Sequence, residues 1–329
     1  MTDDFTRRAV VAGLAAAPVL AAATNSLAQT AAANPPKRLI GLPSRQFQFT
    51  PSIEEAINLA KQAGFDAIEW NVRDGGHVLP VNAERDLPKA VELTRKAGLT
   101  AHMTCTAIQD AQSPYAENIL RAMKSVGIRY YRSSQYFRYD YTKPIQPQLD
   151  ALRPRFASMC ELNAKYDTTT CYHTHSGLGN IGGNVWDMWS VLQDFPQHLV
   201  AFNYDTAHTS ISSGMNWRQG AMVARASIPS LALKDFNWFK GPPTPASAAG
   251  AYSEMVPVGT GLVDFKAKFE LLRDFGFKGP INIHYEHHGM LLGDIGTAKL
   301  DYDTNEFLRL LRADLDAIRG YMREAKFSA

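Results

Sequence analysis

The chain has 329 residues, 45% of them hydrophobic and 20% charged, with a formal net charge of +2. These are the values of an ordinary soluble globular protein, long enough for one large domain or two ordinary ones. They exclude the basic surface that nucleic acid demands, so no nucleic-acid partner is expected, and they exclude an acidic tail.

The first element is a targeting segment. Residues 1–28 carry Arg7 and Arg8 after Thr6, then a mild Ala/Val/Leu run, then the small residues Ser26 and Ala28. That order resembles a twin-arginine export signal with a cleavage site. It implies the Tat export machinery as a partner and a periplasmic location, with no membrane span left after cleavage. An uncleaved anchor is the alternative. Residues 29–37 then read as a flexible mature N-terminus. Cys105, Cys160 and Cys171 are odd in number, lie at no metal-ligand spacing and fall in apolar segments, so they read as buried thiols.

From residue 38 a strand pattern and a helix pattern alternate. RLIGL (38–42) precedes PSIEEAINLAKQAG. FDAIEWNV (65–72) precedes ERDLPKAVELTRKAG. LTAHMTC (99–105) precedes PYAENILRAMKSVG. IRYYRSS (128–134) precedes QLDALRPRFASMCELNAKY. TTTCYHTH (168–175) precedes VWDMWSVLQDF. LVAFNYDTAH (199–208) precedes NWRQGAMVARA. IPSLALKDF (228–236) precedes VDFKAKFELLRDFG, and PINIHYE (280–286) precedes NEFLRLLRADLDAIRGYMREA. Eight strand–helix units with no Gly-rich dinucleotide turn after the first strand predict an α/β fold, a closed (β/α)8 TIM barrel in one domain over 38–329. An open doubly wound sheet is the alternative. The stretches 237–262 and 287–303 read as long loops on the C-terminal face, lids or binding loops.

Side chains alternate along a strand. Asn282, His284 and Glu286 fall on one face, as do Cys171, His173 and His175. Asn203 pairs in phase with Asp205, and Glu69 with Asn71, while His208 lies just past its strand. Polar groups gathered at a barrel mouth must pair with each other, water, substrate or metal. Two carboxylates and several imidazoles suit a divalent cation, with Mn2+, Co2+, Mg2+, Zn2+ and Fe2+ all open. No arginine cluster or P-loop in the sequence marks a phosphate reader.

GFDAIEW (64–70), YDTAH (204–208), ALKDFNW (232–238), VGTGLVDF (258–265) and GFKGPINIHYE (276–286) carry a resemblance. From residue 38 onward the chain is similar to the xylose isomerase-like TIM barrels of the sugar phosphate isomerase/epimerase type. The resemblance implies a metal held by Asp205 and Glu286, with His173 where the family carries a Glu, His175 where it carries a His, and His208 as the D-x-x-H histidine. Ala232 stands where the family often has a ligating His. The implied activity is a metal-dependent sugar isomerase or epimerase acting through an enediolate, on an unphosphorylated carbohydrate given the export signal. Glu286 is then the expected base or ligand, His173 a second base or ligand, and Lys234 the group that neutralises an oxyanion. Glu69, His102, His208, His284 and Trp238 are the expected substrate contacts, with an arginine or lysine partner as the alternative for Glu69. A lyase or hydrolase of keto-sugar glycosides and a non-catalytic sugar-binding barrel are the competing functions, and homo-oligomerisation stays open.

Overall fold

The computed structural model describes residues 37–287, 292–293, 296–297, 299–300 and 303–327. The expected export signal, nearly all of the expected N-terminal tail and much of the 287–303 loop lie outside the described residues. The barrel belongs to one compact unit, Pro36–Ala329.

The strands in chain order are β1 (Ile40–Pro43), β2 (Ala67–Val72), β3 (Thr100–Thr106), β4 (Tyr130–Ser133), β5 (Thr169–His173), β6 (Val200–Asp205), β7 (Ser230–Leu233), β8 (Asp235–Lys240), β9 (Ala251–Val256) and β10 (Ile281–Ile283). β1 to β7 and β10 close into a barrel in which β10 lies between β7 and β1. Every pairing in it is parallel. The eight expected strands are these eight, and the closed (β/α)8 barrel is the fold.

Alternation sets the two sides of the wall. On β2, Trp70 turns outward and its Nε1 donates to Thr94 Oγ1 at 3.1 Å, on helix Ala83–Lys96. On β4, Tyr131 turns outward and donates to Asn163 Oδ1 at 2.9 Å, on helix Arg153–Tyr166. The apolar core lies in this layer between strands and helices, with Trp70, Tyr131, Phe202 and Phe269 fully buried. The alternate residues fill the barrel interior, which is polar.

Helix ends follow their sequence signals. Ser52 Oγ accepts from the Glu55 N–H at 3.1 Å and caps helix Ile53–Gln62. Gly127, at φ 75°, closes helix Ala116–Val126 in the left-handed conformation that glycine takes without strain. The expected helix over 148–166 is instead two, Ile145–Asp150 and Arg153–Tyr166, and Pro154 sits in the first turn of the second. Proline lacks an N–H and is favoured in a first turn, where that donor has no intrahelical partner, so Pro154 suits the start of a new helix.

The expected loop over 237–262 is largely an antiparallel hairpin, β8 with β9, in register from Asp235↔Val256 to Lys240↔Ala251. Its Pro/Gly/Ala-rich tip masks the strands on either side. The rest of the segment is wound around one carboxylate. Buried Asp235 accepts from the N–H groups of Gly259 at 2.9 Å, Gly261 at 3.0 Å and Val263 at 3.0 Å. A Cβ at Gly261 would lie 2.4 Å from Asp235 Oδ1, so the VGTGLV turn needs glycine for close approach.

Candidate active site

The D-x-x-H spacing is a helix cap. Asp205 ends β6 and is the N-cap of helix Thr206–Ser213, where its Oδ1 accepts from the His208 N–H at 2.8 Å. The cap fixes the carboxylate, and it leaves Oδ2 buried and turned to the Lys234 ammonium at 3.2 Å. It also places the His208 ring at the barrel mouth three residues on. The helix was not expected from the sequence, because Thr, Ser and His are mediocre helix formers and the cap supplies much of the reason it forms.

One ligand atom each from His173, Asp205 and His284 lie within 4.8 Å of one another, and all three residues are buried. His173 Nδ1 meets Asn203 Oδ1 at 2.5 Å, which leaves Nε2 facing Asp205 Oδ2 at 3.7 Å. His284 Nε2 is buried without a hydrogen-bond partner. A carboxylate oxygen beside the Lys234 ammonium, an imidazole nitrogen without a hydrogen-bond partner and a second ring oriented by an amide form a donor set that fits a divalent metal. The set differs from the expected one. It keeps His173 and Asp205 and brings in His284, which was expected to touch substrate.

Glu286, an expected ligand, is occupied otherwise. Its Oε2 accepts from Lys234 Nζ at 3.0 Å and its Oε1 is ion-paired with Arg45. Lys234 also lies 3.2 Å from Asp205 Oδ2 and donates to His208 Nε2 at 2.7 Å. With Nε2 accepting, His208 Nδ1–H donates to Ser176 Oγ at 2.8 Å. Lys234 is therefore the hub of the mouth, on the same face as Ala232 as the alternation predicts. His175, the other expected ligand, turns its Nδ1 to the Ser176 carbonyl at 2.6 Å, and its ring lies against His208, tilted by 33°, with centroids 3.7 Å apart.

Three expected substrate contacts are placed elsewhere. Glu69 is fully buried and takes Arg132 in a fork, Nη2 to Oε1 at 2.7 Å and Nε to both oxygens at 3.1 Å. Its arginine-partner alternative is the one the structure realises, because a buried carboxylate needs its charge matched. His102 Nε2 meets Asn282 Oδ1 at 2.8 Å, at the level of Gly41, where a Cβ would lie 2.8 Å from both atoms. Trp238 sits on β8 and is 47% exposed, outside the cluster.

Electrostatics separate the groups. Burial pushes Asp205 up, with Lys234 pulling against it. Burial would raise Glu286 too, but the Lys234 and Arg45 charges hold it at about 2. Burial, then the neighbouring Arg132 or Lys234 charge, keeps His173, His208 and His284 far below the usual histidine range, and His175 falls to about 4. All four rings are neutral at neutral pH, the state in which imidazole ligates or accepts protons.

Arg45 and Arg132 carried no signal as site residues. Alternation in YYRS places Arg132 inward once Tyr131 is taken as outward. Arg45 lies in a single turn, Ser44–Phe47, and meets Glu286 only because the barrel closes. Arg45 and Arg132 also act on Arg73, whose guanidinium is lowered first by burial. Arginines far apart in sequence thus gather at the mouth, a grouping the sequence did not show. Among the described residues, no helix is long and apolar enough to cross a membrane.

Residues 57–313 match the family model of the xylose isomerase-like TIM barrel. No curated protein matches the chain. Among solved structures, a xylose isomerase domain protein from Planctomyces limnophilus aligns at 13% identity and TM-score 0.64, over 88% of this chain and 99% of that one. A 3-keto-D-glucoside 4-epimerase from E. coli aligns at 15% identity and TM-score 0.61, over 86% and 100%. A D-allulose 3-epimerase from Methylomonas sp. aligns at 17% identity and TM-score 0.61, over 88% and 99%. Identities this low carry the fold and not the substrate. The family match covers β2 to β10 and the mouth residues other than Arg45, and the chain belongs to the xylose isomerase-like TIM barrel family.

Proposed function

We propose that the protein is a metal-dependent sugar isomerase or epimerase that abstracts a proton next to a carbonyl, and that its metal is held by His173, Asp205 and His284. The observation that carries this reading is the meeting of that buried donor set with the Lys234–Glu286 ion pair at one barrel mouth. A divalent ion there would supply Lewis acidity toward a carbonyl oxygen. Two imidazoles and one carboxylate favour Zn2+, Co2+ or Fe2+ over Mg2+.

The chain's own groups supply the rest. Among the carboxylates at the mouth, Asp205 is a ligand and Glu69 is committed to Arg132. Glu286 is ionised, and its side chain is 12% exposed, so it is the group placed to take the proton. Lys234 is placed to donate to the oxygen that gains charge, and the His208–Ser176 bonds hold its ammonium in position. The expected role of His173 as a second base does not suit a ring that ligates metal. Residues 1–28 support a reaction outside the cytoplasm, on an unphosphorylated sugar.

Elemental analysis of protein purified without chelator, followed by turnover on aldoses, ketoses and keto-glycosides, tests the proposal. Glu286→Gln keeps the side-chain volume, so it is expected to fold and bind metal while losing turnover by 100-fold or more, on the order of what a positioned base contributes. Full turnover in that variant refutes the role of Glu286. Conserved substrate mass marks an isomerase, and two released fragments mark the lyase or hydrolase reading.

A further inference from the structure

Asn71, on the β1–β2 side of the mouth, is fully buried, and neither its Nδ2 nor its Oδ1 has a hydrogen-bond partner. Its side chain faces the barrel interior. It is in phase with Glu69, which meets Arg132 and Asn282 there, and out of phase with Trp70, which bonds the outer helix. Its cross-strand neighbour is Cys105. The Asn71 N–H donates to Ser44 Oγ at 2.9 Å, which ties the end of β2 to the turn that carries Arg45. Arg45 Nε is likewise buried and without a partner, although another arm of the same guanidinium meets Glu286. Gln46, next in the chain and fully buried, lacks a partner at both amide atoms.

Buried amides are almost always paired, because burying one unpaired forfeits its bonds to water. An isolated lapse is ordinary. Asn71 at the end of β2, with Arg45 and Gln46 in the turn bonded to it, makes a group of orphaned donors and acceptors beside the ion pair proposed to act on substrate, a group kept open for a ligand. The ligand chemistry follows from the atoms. A carboxamide offers a donor and an acceptor in one plane, and Nε of arginine adds a second donor. Neighbouring hydroxyls present the complementary pattern, since each both donates and accepts.

We propose that Asn71, with Arg45 Nε–H, forms a hydroxyl-reading subsite that takes two adjacent hydroxyls of the sugar beyond the reacting carbons. This rests on the sugar reading above. It assigns Asn71 a specificity role and places the length of the substrate across the mouth from the metal donors toward β1 and β2.

Asn71→Leu separates this from a structural role, because the two predict opposite stability changes. The full chain, supplied with Co2+, is titrated by calorimetry with D-fructose, D-allulose, D-tagatose and D-sorbose, and with deoxy analogues of the one bound best. Unliganded protein is melted in parallel. The expected result is affinity weakened at least tenfold in Asn71→Leu, a thermal midpoint equal to or above wild type, and a smaller variant effect on a deoxy analogue. Unchanged affinity, a variant that loses stability along with affinity, or a wild type that binds none of the four sugars overturns the subsite. Turnover is scored separately: sugar binding without turnover refutes the proposed reaction and leaves the subsite standing.

Discussion

Lys268 provides the sharpest stability test. It lies on helix Phe265–Asp274, on the outer side of β6, and is 1% exposed. Its ammonium sits 3.9 Å from the centroid of Trp217, with Tyr204 Oη at 3.4 Å and Thr209 Oγ1 at 3.5 Å, and among the described residues no carboxylate bonds it. Burial drives its pKa from 10.5 to about 7. At ~1.36 kcal/mol per unit, that is roughly 4–5 kcal/mol of penalty on the charged form. The contact with Trp217 returns about 2 kcal/mol in a desolvated setting. Lys268→Met keeps the apolar stem and removes the charge, so at pH 7 it is expected to stabilise the fold by about 3 kcal/mol. The sign fixes the pH dependence. Between about 7 and 10.5 the unfolded chain binds a proton that the folded chain does not, so wild type gains stability as pH rises through this window. The gap between variant and wild type is therefore about half as wide at pH 9.5 as at pH 7. Urea denaturation followed by circular dichroism at the two pH values measures it. A variant that is less stable, or a gap equal at both pH values, would refute the argument that burial dominates here.

Glu69→Gln leaves the Arg132 guanidinium buried beside an uncharged amide, and should cost about 3–5 kcal/mol in the same denaturation assay. A loss below about 1 kcal/mol would mean the pair is replaceable by neutral hydrogen bonding. His284→Ala removes one of three metal donors and should lower metal affinity at least as much as the roughly 10–100-fold seen for outer-shell changes. His175→Ala, by contrast, should leave metal content unchanged, and equal loss in both would add His175 to the ligands. Arg45→Met removes one of the two cations that hold Glu286 at about 2, so its pKa should rise by roughly a unit. A base must be ionised to act, so the acid limb of kcat/KM should move to higher pH. An unmoved limb would show that Glu286 is not the group it reports.

The reach of the sequence can be judged at particular residues. The period of two in AIEWNV and INIHYE, alternating with helix-period segments, was enough for eight strands, a closed barrel and the inward set Glu69, Asn71, Asn203, Asp205, His173, His284 and Glu286. These depend on local chemistry, because backbone geometry fixes which neighbours share a face. The same local reasoning placed Lys234 beside Ala232. It did not show helix Thr206–Ser213, whose residues favour it weakly and whose Asp205 cap decides it. Nor did it show the β8–β9 hairpin, hidden by its Pro-rich tip.

Which inward residues touch was decided by closure of the barrel. Glu286 lies 241 residues from Arg45 and 52 from Lys234, yet bonds both. No sequence spacing contains that information. Long-range ion pairing commits Glu69 to Arg132 and Glu286 to Lys234 and Arg45, while His173, His284 and Asp205, which also meets Lys234, gather as one donor set. The sequence determined the inventory of groups facing the axis, since alternation is a property of each strand alone. Only the tertiary structure decided which of them are neutralised by a partner and which remain to meet a metal or a sugar, because charges pair according to distance in space.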